Sequence, residues 1–295
     1  ERVTGLPVGA RDEPTCADRV WSVDATALHD AMWASRGIQV VRPGGDIERD
    51  GPVLYLLLGD RQLVTFDVGR VIKLLHWLNP RCLRLRVGRR STSYQMERIV
   101  SSSDGAFLRV ERRYGAHTDS HAQIWVAGDA TLARRWSSHA DGAAAHASFR
   151  SARSSMECVP ARTEGGVYDA GVRTQRETWL CAALRTWDKP DAVFPGVYEY
   201  APGVWAHETS KIDPGARIVG PVWIGRGASV PMEATIIGPA IGRDQETDHV
   251  GGPEVAWHEV KSSHWKLKPL RSGLVLRLLV KRGFDVAFSL VVLAV

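Results

Sequence analysis

A chain of 295 residues is long enough for about two domains, each with its own core. Hydrophobic residues at 44% and charged residues at 24% exclude disorder over most of the length, and 28 glycines and 15 prolines without a G-X-Y period exclude a collagenous chain. A net charge of only +5, from 38 basic and 33 acidic residues, gives no reason to expect nucleic acid as a partner. Cys16, Cys82, Cys158 and Cys181 include no CxxC pair and no zinc-finger spacing, which fits a reducing compartment. The chain opens at Glu1 without a recognisable signal peptide and stops at Val295 inside an apolar run, so it reads as a fragment.

In chain order, Val23 to Arg36 reads as a helix capped by Asp24, with Leu28 and Met32 on one face and Gly37 as its stop. A short strand, Ile38 to Val41, follows. Pro52 to Gly59 is a continuous apolar run of strand length, and Asp67 to Leu78 places Val71, Leu74, Leu75 and Leu78 at helical spacing before Pro80. Cys82 to Val87 alternates as a strand should, and Tyr94 to Val100 pairs with Ala106 to Tyr114 across a Ser-Asp-Gly turn. Helix potential returns in Thr131 to Ala140, followed by what reads as a mobile connection up to Arg162. Arg173 to Trp187 is again amphipathic, with Trp179, Leu180, Ala183 and Leu184 on one face and Pro190 closing it. This is a mixed α/β domain over residues 1–190, of the kind a degenerate nucleotidyltransferase would have.

Chemistry is sparse in this region. His117 and His121 flank Asp119 with the spacing of a helical metal pair, but GAHTDSHAQ favours a loop between strands. No Walker A motif, GxGxxG, GxSxG or HExxH occurs in the chain. The tryptophans, among them Trp21, Trp33, Trp77, Trp125 and Trp136, are expected to fill the core.

From position 200 a six-residue period takes over. Ile212, Ile218, Ile224, Val230 and Ile236 form one column, and Ala216, Val222, Ala228, Ala234 and Ala240 form another, four positions on. Two looser hexads precede them, Tyr200 with Val204 and Ala206 with Ser210. The pattern resembles the hexapeptide repeat of the left-handed parallel β-helix, which implies such a β-helix over residues 198–242, short enough to need capping or trimerisation. Hexapeptide proteins include acyltransferases, whose general base is a histidine projecting from the prism. His207 is the only histidine in the repeats, and its weak fit to the pattern places it at the surface instead. A nucleotidyltransferase with a β-helical tail would need a glycine-rich phosphate loop near a cation, which the sequence from Glu1 onward lacks.

After an irregular stretch, basic residues accumulate without Asp or Glu from Lys261 to Arg282: Lys261, Lys266, Lys268, Arg271, Arg277, Lys281 and Arg282. Residues 243–272 read as a basic linker, and 273–295 as the start of a membrane helix. Lys and Arg ahead of an apolar segment bind anionic lipid and mark the cytoplasmic side. The sequence KRGFDVAFSLVVLAV resembles the opening of bacterial sugar transferases, the monotopic polyprenyl-phosphate phosphoglycosyltransferases, with Lys281, Arg282, Phe284, Asp285 and Ser289 matching their pattern. The resemblance implies a re-entrant membrane helix followed by a catalytic domain that passes a sugar phosphate from a nucleotide-sugar to undecaprenyl phosphate. That domain would use Mg²⁺, whereas the residues present here would need no cofactor and supply no catalytic group.

The expected architecture is therefore an α/β N-terminal domain, a short left-handed parallel β-helix, and the start of a membrane-associated helix. The expected role is the N-terminal part of a sugar transferase that initiates exopolysaccharide or O-antigen synthesis. It would sit on the cytoplasmic face of the bacterial inner membrane, with membrane lipids, undecaprenyl phosphate and a nucleotide-sugar as partners of the full-length protein and with the β-helix available for homo-oligomer contacts. Two alternatives remain: a soluble nucleotide-sugar nucleotidyltransferase or hexapeptide acyltransferase, and a non-enzymatic scaffold or binding module.

Overall fold

The computed structural model describes residues 19–78, 80–88, 96–101, 107–113, 122–152, 157–245, 255, 257, 280 and 282–286. Helix α1 (Ala25–Ala34) starts where the Asp24 carboxylate accepts from the backbone N–H groups of Thr26 and Ala27, both at 2.8 Å. It stops at Gly37, whose φ of 74° suits glycine. Strands β1 (Ile38–Val41), β2 (Leu54–Leu57) and β3 (Gln62–Phe66) follow, then α2 (Val68–Leu78) and β4 (Cys82–Gly88). Strands β5 (Met96–Ser101) and β6 (Phe107–Arg113) pair antiparallel as a separate ribbon. The domain continues with β7 (Ala122–Ala127), α3 (Ala130–Ser137), α4 (Gly142–Ser151), β8 (Cys158–Asp169) and α5 (Arg173–Thr186).

Six of these strands form one sheet in the order β1-β2-β7-β4-β8-β3. Pairs β1/β2 and β4/β8 are parallel, and the other pairs are antiparallel. The apolar run at β2 is explained by burial on both faces. Leu54 and Leu56 enter a core with Leu83, Leu85, Ile124 and residues of α1, α2 and α5, while Tyr55 and Leu57 enter a second core with Trp125, Trp136 and Phe149 from the side of α3 and α4.

The sheet is strongly curled. β3 follows β2 through a tight turn in which the Gln62 N–H donates to the Gly59 carbonyl at 3.2 Å. Yet four strand spacings separate the two in the sheet order, about 19 Å if it were flat. Curling brings the edge strands β1 and β3 to the same side of α1. There, residues of α1 and β1 satisfy backbone groups of β3 and of the turn before it.

Beyond a 3-10 turn at Pro190–Ala192, β9 (Val197–Ala201) pairs antiparallel with β10 (Val204–His207). The chain then winds through β11 (Lys211–Ile212), β12 (Arg217–Val219), β13 (Val222–Ile224), β14 (Ser229–Val230), β15 (Thr235–Ile237) and β16 (Ala240–Gly242). These strands make three parallel ladders, β10-β13-β16, β11-β14 and β12-β15, and partners in each are eighteen residues apart, as Ile212 is from Val230 and Ile218 from Ile236. Inside the coil, Val204, Ala206, Val222, Ile224, Ala228 and Val230 pack together, with Ile212, Ile218 and Ile236 against them. The Asp244 carboxylate ties the coil to the start of the described chain, accepting from the N–H groups of Trp21 (2.9 Å), Ser22 (2.6 Å) and Arg226 (2.7 Å). Trp21, Trp187, Phe194, Trp205 and Trp223 extend the α/β core into the coil without a break.

Three sequence expectations are corrected. The segment read as a mobile connection contains α4, capped by Asp141 and anchored by Ala145 and Phe149. Trp77, expected in the core, is 71% exposed because it lies on the face of α2 opposite Val71 and Leu75. His207, expected at the surface, is 6% exposed, with its Nδ1 held by the Thr209 N–H at 3.1 Å.

Candidate functional site

A cleft of about 620 Å³ opens where β2 and β8 end and β3 begins. The cleft lies at the carboxyl ends of β2 and β8 and at the amino end of β3. Its floor is the turn Gly59, Asp60, Arg61, Gln62, and its walls are the start of α4 (Asp141, Gly142, Ala143, His146), the end of β8 (Val167, Tyr168, Asp169) and Gln175 of α5.

The floor is fixed from beneath by Arg42, at the end of β1. Its Nη1 donates to the carbonyls of Gly59 (2.8 Å), Asp60 (2.9 Å) and Gln62 (3.1 Å). Its Nη2 and Nε reach the two oxygens of Asp30 at 2.9 and 3.2 Å. Asp30 in turn accepts from Nδ1 of His29 at 2.8 Å, while Nε2 of His29 accepts from the Trp33 indole N–H and the Val64 N–H, both at 3.0 Å. Two donors aimed at Nε2 require the proton on Nδ1, so the His29 ring is neutral. Burial lowers its pKa against the raising pull of Asp30. Burial would raise the Asp30 carboxyl, but the His29 hydrogen bond and the Arg42 charge outweigh it and hold that carboxyl below its usual range.

The first turn of α4 rests directly on the floor, because a Cβ on Gly142 would stand 2.8 Å from the Gly59 Cα. Four polar side chains of the cleft, Gln62, Asp141, Gln175 and Asp169, each have one atom held by the backbone. The Gln62 Oε1 accepts from the Gly59 N–H (3.2 Å), the Asp141 Oδ1 from the Ala144 N–H (2.8 Å), and the Gln175 Oε1 from the Asp169 N–H (2.8 Å). The Asp169 Oδ1 accepts from the Gly171 N–H at 2.8 Å. The second carboxylate oxygens and the two amide NH₂ groups are left for a ligand. His146 follows the same rule: its Nδ1 accepts from the Trp125 indole at 3.0 Å, which puts the proton of the neutral ring on Nε2. Burial, then the nearby Arg150 charge, lowers its pKa and keeps the ring neutral near pH 7.

The cleft thus offers acceptors (Asp60, Asp141, Asp169), donors (Arg61, His146, two amides) and the ring of Tyr168 beside Val167. Three carboxylates against one guanidinium disfavour a polyanion there and suit a neutral molecule carrying several hydroxyls. Among the described residues no three His, Cys, Asp or Glu side chains are grouped to hold a metal ion.

Of the site residues selected from the sequence, those among the described residues do not line this cleft. Arg282, Phe284 and Asp285 lie on the exposed helical residues 282–286. Lys281, Ser289, Lys261, Lys266, Lys268, Arg271 and Arg277 lie outside the described residues, as do His117 and His121. Among the described residues no helix is long and apolar enough to cross a membrane. The cleft residues went unselected, although Gly-Asp directly after the apolar run of β2 and Asp-Gly directly before an alanine-rich helix are both visible in the sequence.

No protein-family model matches the chain. No curated protein matches it. Among solved structures, a Bacillus anthracis chain described as a glucose-1-phosphate thymidylyltransferase in complex with a sucrose aligns at 10% identity and a TM-score of 0.25. That alignment covers 44% of this chain and 54% of the other, so it spans about half of that chain's length.

Proposed function

We propose that this chain is a ligand-binding module, whose cleft between β2, β8 and α4 takes a small polyhydroxylated molecule of the sugar class. The observation that carries this reading is the set of half-anchored polar side chains, each with one atom fixed by the backbone and a second without a partner among the described residues, in a cleft that Tyr168 also lines. Sugars are held in this way, by alternating donors and acceptors on hydroxyls and an aromatic face against the ring. A nucleotidyltransferase reading has less support, because the cleft has neither a glycine-rich phosphate loop nor a grouped set of metal ligands among the described residues.

In the proposed setting the module precedes a membrane-seated sugar transferase, as the Lys281, Arg282, Phe284, Asp285 and Ser289 pattern suggests. The eighteen-residue coil is then the left-handed β-helix that the hexads resemble, placed between binding module and membrane. Mg²⁺, undecaprenyl phosphate and phosphoryl transfer belong to the domain beyond Val295 in this setting, on the cytoplasmic face of the inner membrane.

Saturation-transfer NMR against a panel of neutral hexoses, amino sugars and nucleotide-sugars tests the binding reading. Transfer to ring protons of at least one sugar is expected, together with its loss in Tyr168→Ala. A folded protein that gives no transfer to any member of the panel overturns the reading.

A further inference from the structure

On the sheet face covered by α3 and α4, Trp125 packs on Phe149 with ring centroids 5.5 Å apart, and among the described residues the second core reaches β4 and β8 through Cys82 and Cys158. These two strands also carry arginines on that face. Arg84 of β4 stands opposite Trp125 in the ladder, Arg86 stands opposite Gln123, and Arg86 is also in register with Arg162 of β8. Leu83, Leu85 and Val87 occupy the other face, so strand alternation assigns Arg84, Arg86 and Arg162 to one side. Neighbours there are about 4.8 Å apart across strands and about 6.7 Å along them.

Three guanidiniums at that spacing repel one another, and in a purely structural role they would be neutralised by carboxylates. They are not. Among the described residues none of the three makes an ion pair, and Glu164, two positions beyond Arg162 on the same face, pairs with none of them. The Nε of Arg84 is buried without a hydrogen-bond partner, which leaves a donor that an anion could meet. Arg86 is half-buried and Arg162 is exposed, so the group is open on one side.

We infer that Arg84, Arg86 and Arg162 form an anion site for a phosphoryl-bearing ligand. Guanidinium forks match phosphate oxygens in pairs, and the two register levels, Arg84 on one and Arg86 with Arg162 on the other, fit two linked phosphoryl groups. The site is separate from the cleft, whose carboxylates would repel the same ligand, and it does not depend on what the cleft binds.

The test is calorimetric titration of the chain with inorganic pyrophosphate at low ionic strength, with sedimentation on phosphatidylglycerol vesicles as a second arm. The variants are Arg86→Glu and Arg162→Glu, whose positions are not fully buried, with circular dichroism confirming their fold. Saturable pyrophosphate binding that weakens by about tenfold or more in each variant supports a soluble diphosphate ligand. Vesicle binding lost in both variants, with pyrophosphate inert, assigns the same phosphoryl chemistry to a lipid headgroup. Binding by wild type and both folded variants alike, or by none of them in either arm, overturns the site, and so does a response that sodium chloride reproduces at equal ionic strength.

Discussion

The backbone N–H of Val64, on the edge strand β3, donates to Nε2 of His29 on α1 at 3.0 Å. An edge strand presents unpaired donors and acceptors, and here a neutral imidazole satisfies one of them. The same ring passes its Nδ1 proton toward Asp30, which holds Arg42, which holds the cleft floor. Edge protection and site geometry therefore share one continuous hydrogen-bond network.

That network predicts an acid-sensitive fold. The folded pKa of His29 is lowered below the ordinary value, chiefly by burial, so the unfolded chain takes up a proton that the folded chain refuses. The contribution is complete above about pH 6.5 and declines as pH falls toward the folded pKa, by up to about 1.4 kcal/mol per pH unit. Asp30, also lowered, adds a second loss in the same direction below its usual carboxylate range. Urea titrations between pH 7.5 and 5 are expected to show the decline in wild type and a flatter profile in His29→Gln.

Arg42→Met leaves Asp30 without its guanidinium and three carbonyls without their donor. A cost of about 1–3 kcal/mol is expected, because the pair is only partly buried and water can reach the groups left behind. Arg42→Lys keeps the charge but loses the fork, so partial rescue of stability with faster amide exchange at Gly59 to Gln62 is expected.

Gly142→Ala inserts a methyl into the 2.8 Å approach of α4 to Gly59, where both sides are backbone. Overpacking of this kind costs about 1–3 kcal/mol. Thermal denaturation reports the cost, and weaker sugar binding than in Ala147→Ser, a change at an exposed α4 position that does not line the cleft, would place the effect at the cleft.

Asp244→Ala removes the acceptor shared by Trp21, Ser22 and Arg226. Leaving those donors unmet is expected to cost about 2–4 kcal/mol. Because Trp21 lies against Trp223 at 5.1 Å and Phe194 at 5.4 Å, a red-shifted tryptophan emission should accompany the loss.

Local signals in the sequence carried a good part of the α/β fold. The Asp24 cap, the Gly37 stop, the β2 run and the alternation of β4 each depend on neighbours within a few residues, and each has its counterpart in the structure. β8 did not announce itself, because its twelve residues serve two partners, β4 and then β3, and carry charge and two glycines where they cross between them. α4 lacks a strong apolar stripe and is held mainly by Ala145 and Phe149 beneath the Trp125 and Trp136 rings. The cleft was hidden for a different reason. Its residues come from three segments that the curl of the sheet brings together, and the Arg42 clamp that sets its floor joins residues 17 to 20 positions away.

Amide hydrogen exchange with and without the sugar identified by NMR tests the central claim most directly. Protection rising together at Gly59 to Gln62, Asp141 to His146 and Val167 to Gln175, three segments far apart in sequence, is the result predicted. Binding that leaves all three unprotected, or protects only residues elsewhere in the chain, would contradict the assignment of the cleft.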